Sequence, residues 1–229
     1  MFFCFSFVFV GGWCVHPDVR ADVIVFNDRQ LWLAAVDQTT MLTADFEDFT
    51  QDVRFVPAPT GVGTVDAGPF SLSANRILSS SETLLPNRVD VAPYFGFNDA
   101  NSNYAYILVE GDNNLRVTLT FDTPVLAFGA DFDRVDGGPG ESMDWHLNGS
   151  GSPILQVRDD DGFFGFISTG GLVNGFEFRA RFANGGNGGT GTGMDNALVA
   201  FGLTSVPEPS SALLVIASFG GMLWRRQRS

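Results

Sequence analysis

The chain has 229 residues and carries 13 arginines, no lysine and 26 acidic residues, for a net charge of −13. A protein so short of cations cannot neutralise a phosphate backbone, so nucleic-acid binding is excluded as a primary function. Phenylalanine dominates the aromatics with 23 residues, and 27 glycines crowd the stretches between apolar runs. That mixture reads as an all-β fold.

From the start, Phe2 to Val15 is almost wholly apolar and too short to span a bilayer, as the h-region of a secretory signal is. Val19-Arg20-Ala21 places aliphatic and small residues at the −3 and −1 positions, so cleavage is expected before Asp22 and the signal peptide covers 1–21. The basic residues that usually precede an h-region are absent. Cys4 and Cys14 both fall in this segment, so the mature chain is expected to hold no disulfide.

One domain, 22–204, follows, and about 180 residues suffice for a single buried core. One short helix is expected near its start. Asn27 is placed to cap it, Gln30 to complete a capping box, Phe26 to staple onto Leu31, and Leu31, Trp32, Ala35 and Val36 to form its packing face. The helix should end near Thr39-Thr40, with a strand over Met41 to Phe49.

Strands follow. Leu115, Val117, Leu119 and Phe121 alternate with polar residues, as do Phe176, Phe178, Ala180 and Phe182, which is the period of a strand with one buried face. Tyr104 to Val109, Val125 to Phe132 and Ala197 to Leu203 are more uniformly apolar, as central strands are. Gly111 to Asn114, Gly137 to Gly140 and Asn184 to Gly193 read as turns and loops.

At the other end stand Val206-Pro207-Glu208-Pro209, an apolar run of about 13 residues from Ala212 to Trp224, and Arg225, Arg226 and Arg228. The prolines fix φ and remove two donors, so the motif stays extended and open to a protease. Roughly 20 residues are needed for a straight transmembrane helix, but counting from Ser210 and letting the arginines snorkel brings the run nearer to spanning. The arginines hold their end in the cytoplasm under the positive-inside rule.

This order, over about a tenth of the chain, resembles the PEP-CTERM sorting signal that exosortase-type membrane proteases recognise. The resemblance implies export, transient anchoring in the inner membrane through 205–229, removal of the tail, and a final place at the cell surface or in the extracellular matrix. A second resemblance covers most of the domain. Phe26-Asn27-Asp28-Arg29, Ala44 to Phe49, Val117 to Val125, Ala127 to Phe132, Phe163 to Phe166 and Met194 to Val199 look like segments of other exported domains that bear this signal. Gly61 to Phe70 departs from that pattern. The likeness implies a jelly-roll-like antiparallel β-sandwich of the carbohydrate-binding kind, with extracellular polysaccharide as its partner.

In such jelly rolls an acidic residue of the first strand and an Asp of the last often share a structural calcium. Glu47, Asp195 and Asn196 are the candidates, with Asp45 and Asp48 beside them; calcium takes six to eight oxygens, so carbonyls and water would complete the shell. The simpler reading makes them solvated acids paired with arginines. Weaker acidic sets are Asp99, Asn101, Asn103 and Glu110, which mimic EF-hand spacing without its glycine, the turn Asp159-Asp160-Asp161-Gly162, and Asp131, Asp133 and Asp136.

No catalytic function is expected. His146 is the one histidine outside the signal and sits between Trp145 and Leu147 as a structural strand residue, with Asp144 close in sequence. Gly149-Ser150-Gly151-Ser152 lacks the spacing of a nucleophile elbow. The alternative is a secreted hydrolase of matrix polysaccharide, which needs two carboxylates converging in a cleft. A sugar-binding surface would offer aromatics such as Tyr94, Phe95, Trp145 or Phe163 as stacking platforms.

Overall fold

The computed structural model describes residues 22–77, 87–91, 102–110, 114–136, 141–148, 150–157, 162–182 and 189–203. The segments read as signal peptide and sorting tail lie outside them. In chain order the strands are β1 (Val23–Phe26), β2 (Met41–Ala44), β3 (Val53–Arg54), β4 (Thr64–Asp66), β5 (Phe70–Ala74), β6 (Arg88–Asp90) and β7 (Tyr104–Glu110). They continue with β8 (Arg116–Val125), β9 (Ala127–Asp136), β10 (Glu141–Leu147), β11 (Leu155–Val157), β12 (Gly162–Ser168), β13 (Val173–Phe182) and β14 (Gly189–Ala200). One α-helix, α1 (Arg29–Ala35), follows β1.

The strands form two antiparallel sheets. Eight belong to one sheet, in the order β1-β12-β9-β14-β7-β6-β3 with β2 also on β14, and six to the other, in the order β11-β10-β13-β8-β5-β4. Among the described residues the chain is therefore all-β with one short α-helix, as its composition and alternation imply.

Alternation decides which faces meet. On β8, Val117, Leu119 and Phe121 are buried while Arg116 and Thr118 are half-exposed. On β13, Phe176 and Phe178 are fully buried between partly open Glu177 and Arg179. Rings from the two sheets meet directly. Phe128 of β9 lies 5.0 Å from Phe176 of β13, and Phe132 of β9 lies 5.1 Å from Trp145 of β10. Trp145 stacks on its neighbour Phe176 at 5.1 Å and 15°. Each such ring contributes on the order of 1.5–3 kcal/mol by burial, with more from tilted pairing.

Helix α1 docks on the opposite face of the eight-stranded sheet. Trp32 is fully buried against Phe163, and its indole N–H donates to the Phe166 carbonyl at 3.2 Å. Two glycines facing each other across β12 and β9 make room for these rings. A Cβ on Gly129 would stand 2.3 Å from the Phe163 ring, and one on Gly165 would stand 2.8 Å from the Phe128 carbonyl and 3.1 Å from the Trp32 ring.

The helix departs from the sequence expectation in four ways. Its N-cap is Asp28, in extended conformation and accepting from the Leu31 N–H at 2.9 Å, not Asn27. Counting from Asp28 puts Leu31 where the capping box wants Gln or Glu, so Gln30 has no capping role. Leu31 is 64 % exposed and cannot be stapled by Phe26, which packs instead beside Trp32. The helix also ends at Ala35, and Thr39-Thr40 belong to a 3-10 turn capped by Asp37.

Two further expectations fail. The strand expected over Met41 to Phe49 stops at Ala44, because Phe46 takes φ +59° and closes a turn through the Phe49 N–H to Phe46 carbonyl bond. Asn184 to Gly193 is not all loop: β14 begins at Gly189 and pairs with β7. Its glycines run beneath long side chains, and a Cβ on Gly191 would lie 2.9 Å from the Tyr106 hydroxyl. Glycine there serves close approach within a strand, which composition cannot distinguish from a loop.

Candidate functional site

The expected constellation gathers where β14 changes partner. Along one edge, Gly189–Met194 pairs with β7 and Ala197–Ala200 pairs with β2, which leaves Asp195 and Asn196 between the two. On the other edge the register with β9 shifts between Asp195 and Leu198. Asn196 adopts φ +48°, a left-handed conformation that asparagine tolerates better than most residues. The gap admits the turn after β2, carrying Glu47, and the residues before β7, Ser102 and Asn103.

Asn103 binds that turn in place. Its backbone N–H donates to Glu47 Oε1 at 2.9 Å, and its side-chain amide donates to the carbonyls of Phe46 and Phe49 at 3.0 and 2.9 Å. The Asp45 carboxylate accepts from the Glu47 N–H at 3.2 Å. The Ser102 hydroxyl donates to Asp195 Oδ2, and the Asn196 N–H donates to Asp195 Oδ1 at 2.6 Å. Asp195 thus has both oxygens engaged.

Asp131 faces Asp195 directly across the β9–β14 ladder. Like charges in that position repel. Two groups offset the repulsion at Asp131. The Arg29 guanidinium lies 2.7 Å from its Oδ2, and the Asn196 amide donates to the same oxygen at 3.2 Å. Arg29 also donates to the Asn196 carbonyl at 3.2 Å and sits 5.0 Å from the Phe163 ring centre. Among the described residues no such cation pairs with Asp195. Burial pushes its carboxyl up to about 6, the Glu47 and Asp131 charges add to the rise, and the Ser102 and Asn196 donors work against it.

The structure brings Glu47, Asp195 and Asn196 into one corner, with Asp131, Arg29, Ser102 and Asn103. Sequence reading named the first three and assigned Asp131 elsewhere. Arg29 enters the sequence reading only within the Phe26-Asn27-Asp28-Arg29 segment of the family likeness, and Ser102 carries no signal. Asn103 acts here as a clamp on the turn, not as an EF-hand ligand, and Asp99 and Asn101 lie outside the described residues, as do Asp159, Asp160 and Asp161. Among the described residues, no three acidic, histidine or cysteine side chains gather tightly enough to hold a metal ion by themselves. Beside the corner, a shallow cleft of about 280 Å³ is lined by Asp45, Asp48 and Asp66 with Phe46 and Phe49.

His146 lies on β10 with Ser142 and Asp144, all three buried and turned away from the aromatic core. They form no relay. The Ser142 hydroxyl donates to Asp144 Oδ1 at 2.9 Å, Gln156 donates to Oδ2 at 3.2 Å, and His146 Nδ1 has no hydrogen-bond partner among the described residues. Burial, with the nearby Arg179 charge, holds the imidazole pKa below its usual value. Trp145 and Phe163 are buried and cannot serve as stacking platforms, while Tyr94 and Phe95 lie outside the described residues.

Comparison with protein-family models, with curated proteins and with solved structures finds no match for this chain.

Proposed function

We propose that this chain is an exported surface or matrix protein, anchored transiently in the inner membrane and trimmed by an exosortase-type protease. The observation that carries the reading is the order Val206-Pro207-Glu208-Pro209, apolar run, Arg225-Arg226 and Arg228 at the C-terminal end. An extended motif followed by a marginally spanning segment and a cationic stop is what a membrane-embedded protease needs to hold and cut a substrate.

The cargo, in this reading, is a jelly-roll-like sandwich whose partner is extracellular polysaccharide. Two antiparallel sheets meeting through aromatic rings support that architecture. Calcium belongs to the same proposal. Glu47 and Asp195 would hold it with Asn196, using carbonyls and water for the remaining positions, and the ion would offset the burial, and with it the lesser repulsion, that raises Asp195.

Fractionation tests the sorting claim. Replacing Pro207, Glu208 and Pro209 together by alanine should leave the protein in the inner membrane with its tail attached, while the unaltered chain reaches the surface fraction. Equal surface delivery of both would overturn it. Thermal unfolding tests calcium: at 100-fold excess over its Kd the ion should add about 2.7 kcal/mol. An identical midpoint in calcium and in chelator would remove calcium from the account.

A further inference from the structure

The face of the six-stranded sheet turned away from the core carries an ordered polar lattice. Cross-strand register sets Gln156, Asp144, Arg179 and Arg116 in one row over β11, β10, β13 and β8. A neighbouring row holds His146, Glu177, Thr118 and Ser73. At strand spacings of about 4.8 Å the first row runs ~14 Å, the scale of a short oligosaccharide.

Three of the nine arginines outside the terminal signals meet on this face, in a chain otherwise short of cations. Arg179 reaches Glu177 Oε2 at 2.6 Å, and Arg116 reaches the same oxygen at 3.4 Å. One carboxylate thus positions two guanidinium groups and satisfies only part of their ten N–H donors. Arg181 has a side chain 58 % exposed and makes a distant contact, 4.0 Å, with Asp144. Counting Asp144 and Glu177 against the three arginines leaves this end of the face one charge positive, while Asp66 and Asp122 stand on the same face toward its other end. His146, 7 % exposed and with its Nδ1 unpartnered among the described residues, lies among them.

We infer that this face binds a carboxylated polysaccharide, with Arg116, Arg179 and Arg181 pairing uronate groups and Gln156, Thr118 and Ser73 meeting hydroxyls. Guanidinium groups match carboxylates in a planar, two-point fashion that a neutral glucan cannot use. The described aromatics of this sheet, Trp145, Phe176, Phe178, Phe70 and Phe121, all lie in the core, so stacking on a neutral sugar has no platform here. The inference deepens the matrix reading above by naming the ligand class.

Affinity electrophoresis of the full chain in mild detergent, through gels holding polygalacturonate or plain dextran, tests it. Polygalacturonate should retard the protein, dextran should not, and 0.5 M salt should remove the retardation. Arg181→Gln should weaken retardation at least fivefold at an unchanged unfolding midpoint, and Arg179→Gln more so. Arg54→Gln, on the other sheet, should leave it intact. Should Arg179→Gln fail to fold, the exposed Arg181→Gln still decides. Equal retardation by dextran, or full retardation of Arg181→Gln, would overturn the inference. Failure of either kind leaves the tail's processing unaffected, since that is read by fractionation.

Discussion

Phe132 and Asp131 are neighbours on β9, and they point to opposite worlds. Phe132 packs among Trp145, Phe164 and Phe178. Asp131 stands opposite another carboxylate, with Arg29 and Asn196 holding it. The core depends on volume; the corner depends on charge and on five separate pieces of chain arriving together. Stability therefore sits mostly in the first region, and sensitivity to pH and ions in the second.

The largest effect should come from emptying the core. Phe176→Ala removes a ring that contacts Phe128, Trp145, Phe166 and Phe178, and should cost about 3–5 kcal/mol in denaturant unfolding. A cost under about 1 kcal/mol would mean that the two sheets do not meet there. Next comes overpacking beneath the helix. Gly165→Val drives a branched side chain into the Phe128 carbonyl and Trp32, and should destabilise by roughly 1–3 kcal/mol while exposing the indole to fluorescence quenchers. Unchanged quenching would argue against the docking of α1.

The corner's signature is smaller and pH-dependent. Since the folded pKa of Asp195 is raised from 3.8 to about 6, its contribution to stability is complete below about pH 4 and is lost as pH rises through 6. With solvent screening discounted, the loss is on the order of 1 kcal/mol. Asp195→Asn should remove this component, so the difference between wild-type and variant midpoints should change across pH 4–7. A constant difference would show that Asp195 titrates normally. Arg29→Gln should cost least, up to about 1 kcal/mol, because its ion pair with Asp131 is partly solvated, with high salt shrinking the loss.

The two regions were unequally legible. Alternation at Val117, Leu119 and Phe121, and at Phe176 and Phe178, writes burial into adjacent residues, so the core faces follow from sequence. The corner is built from residues separated by 54 to 167 positions, such as Asn103 with Phe49 and Arg29 with Asn196. No local pattern carries that register. Glu47 and Asp195 could be paired only through a family likeness. Ser102 and Arg29 were invisible as partners, because the bulge that opens β14 at Asn196 has no signature beyond an Asp-Asn pair. The glycines of β14 were misleading for a related reason: a residue chosen for closeness to Tyr106 looks, in sequence, like one chosen for a loop.

The most direct test of the account is the intact mass of the protein recovered from cells with and without their exosortase. The account predicts that the segment after about Pro209 is missing only where the protease is present. A C-terminal Arg225-Arg226-Gln227-Arg228-Ser229 retained in both strains would make the tail a permanent anchor and contradict the sorting claim.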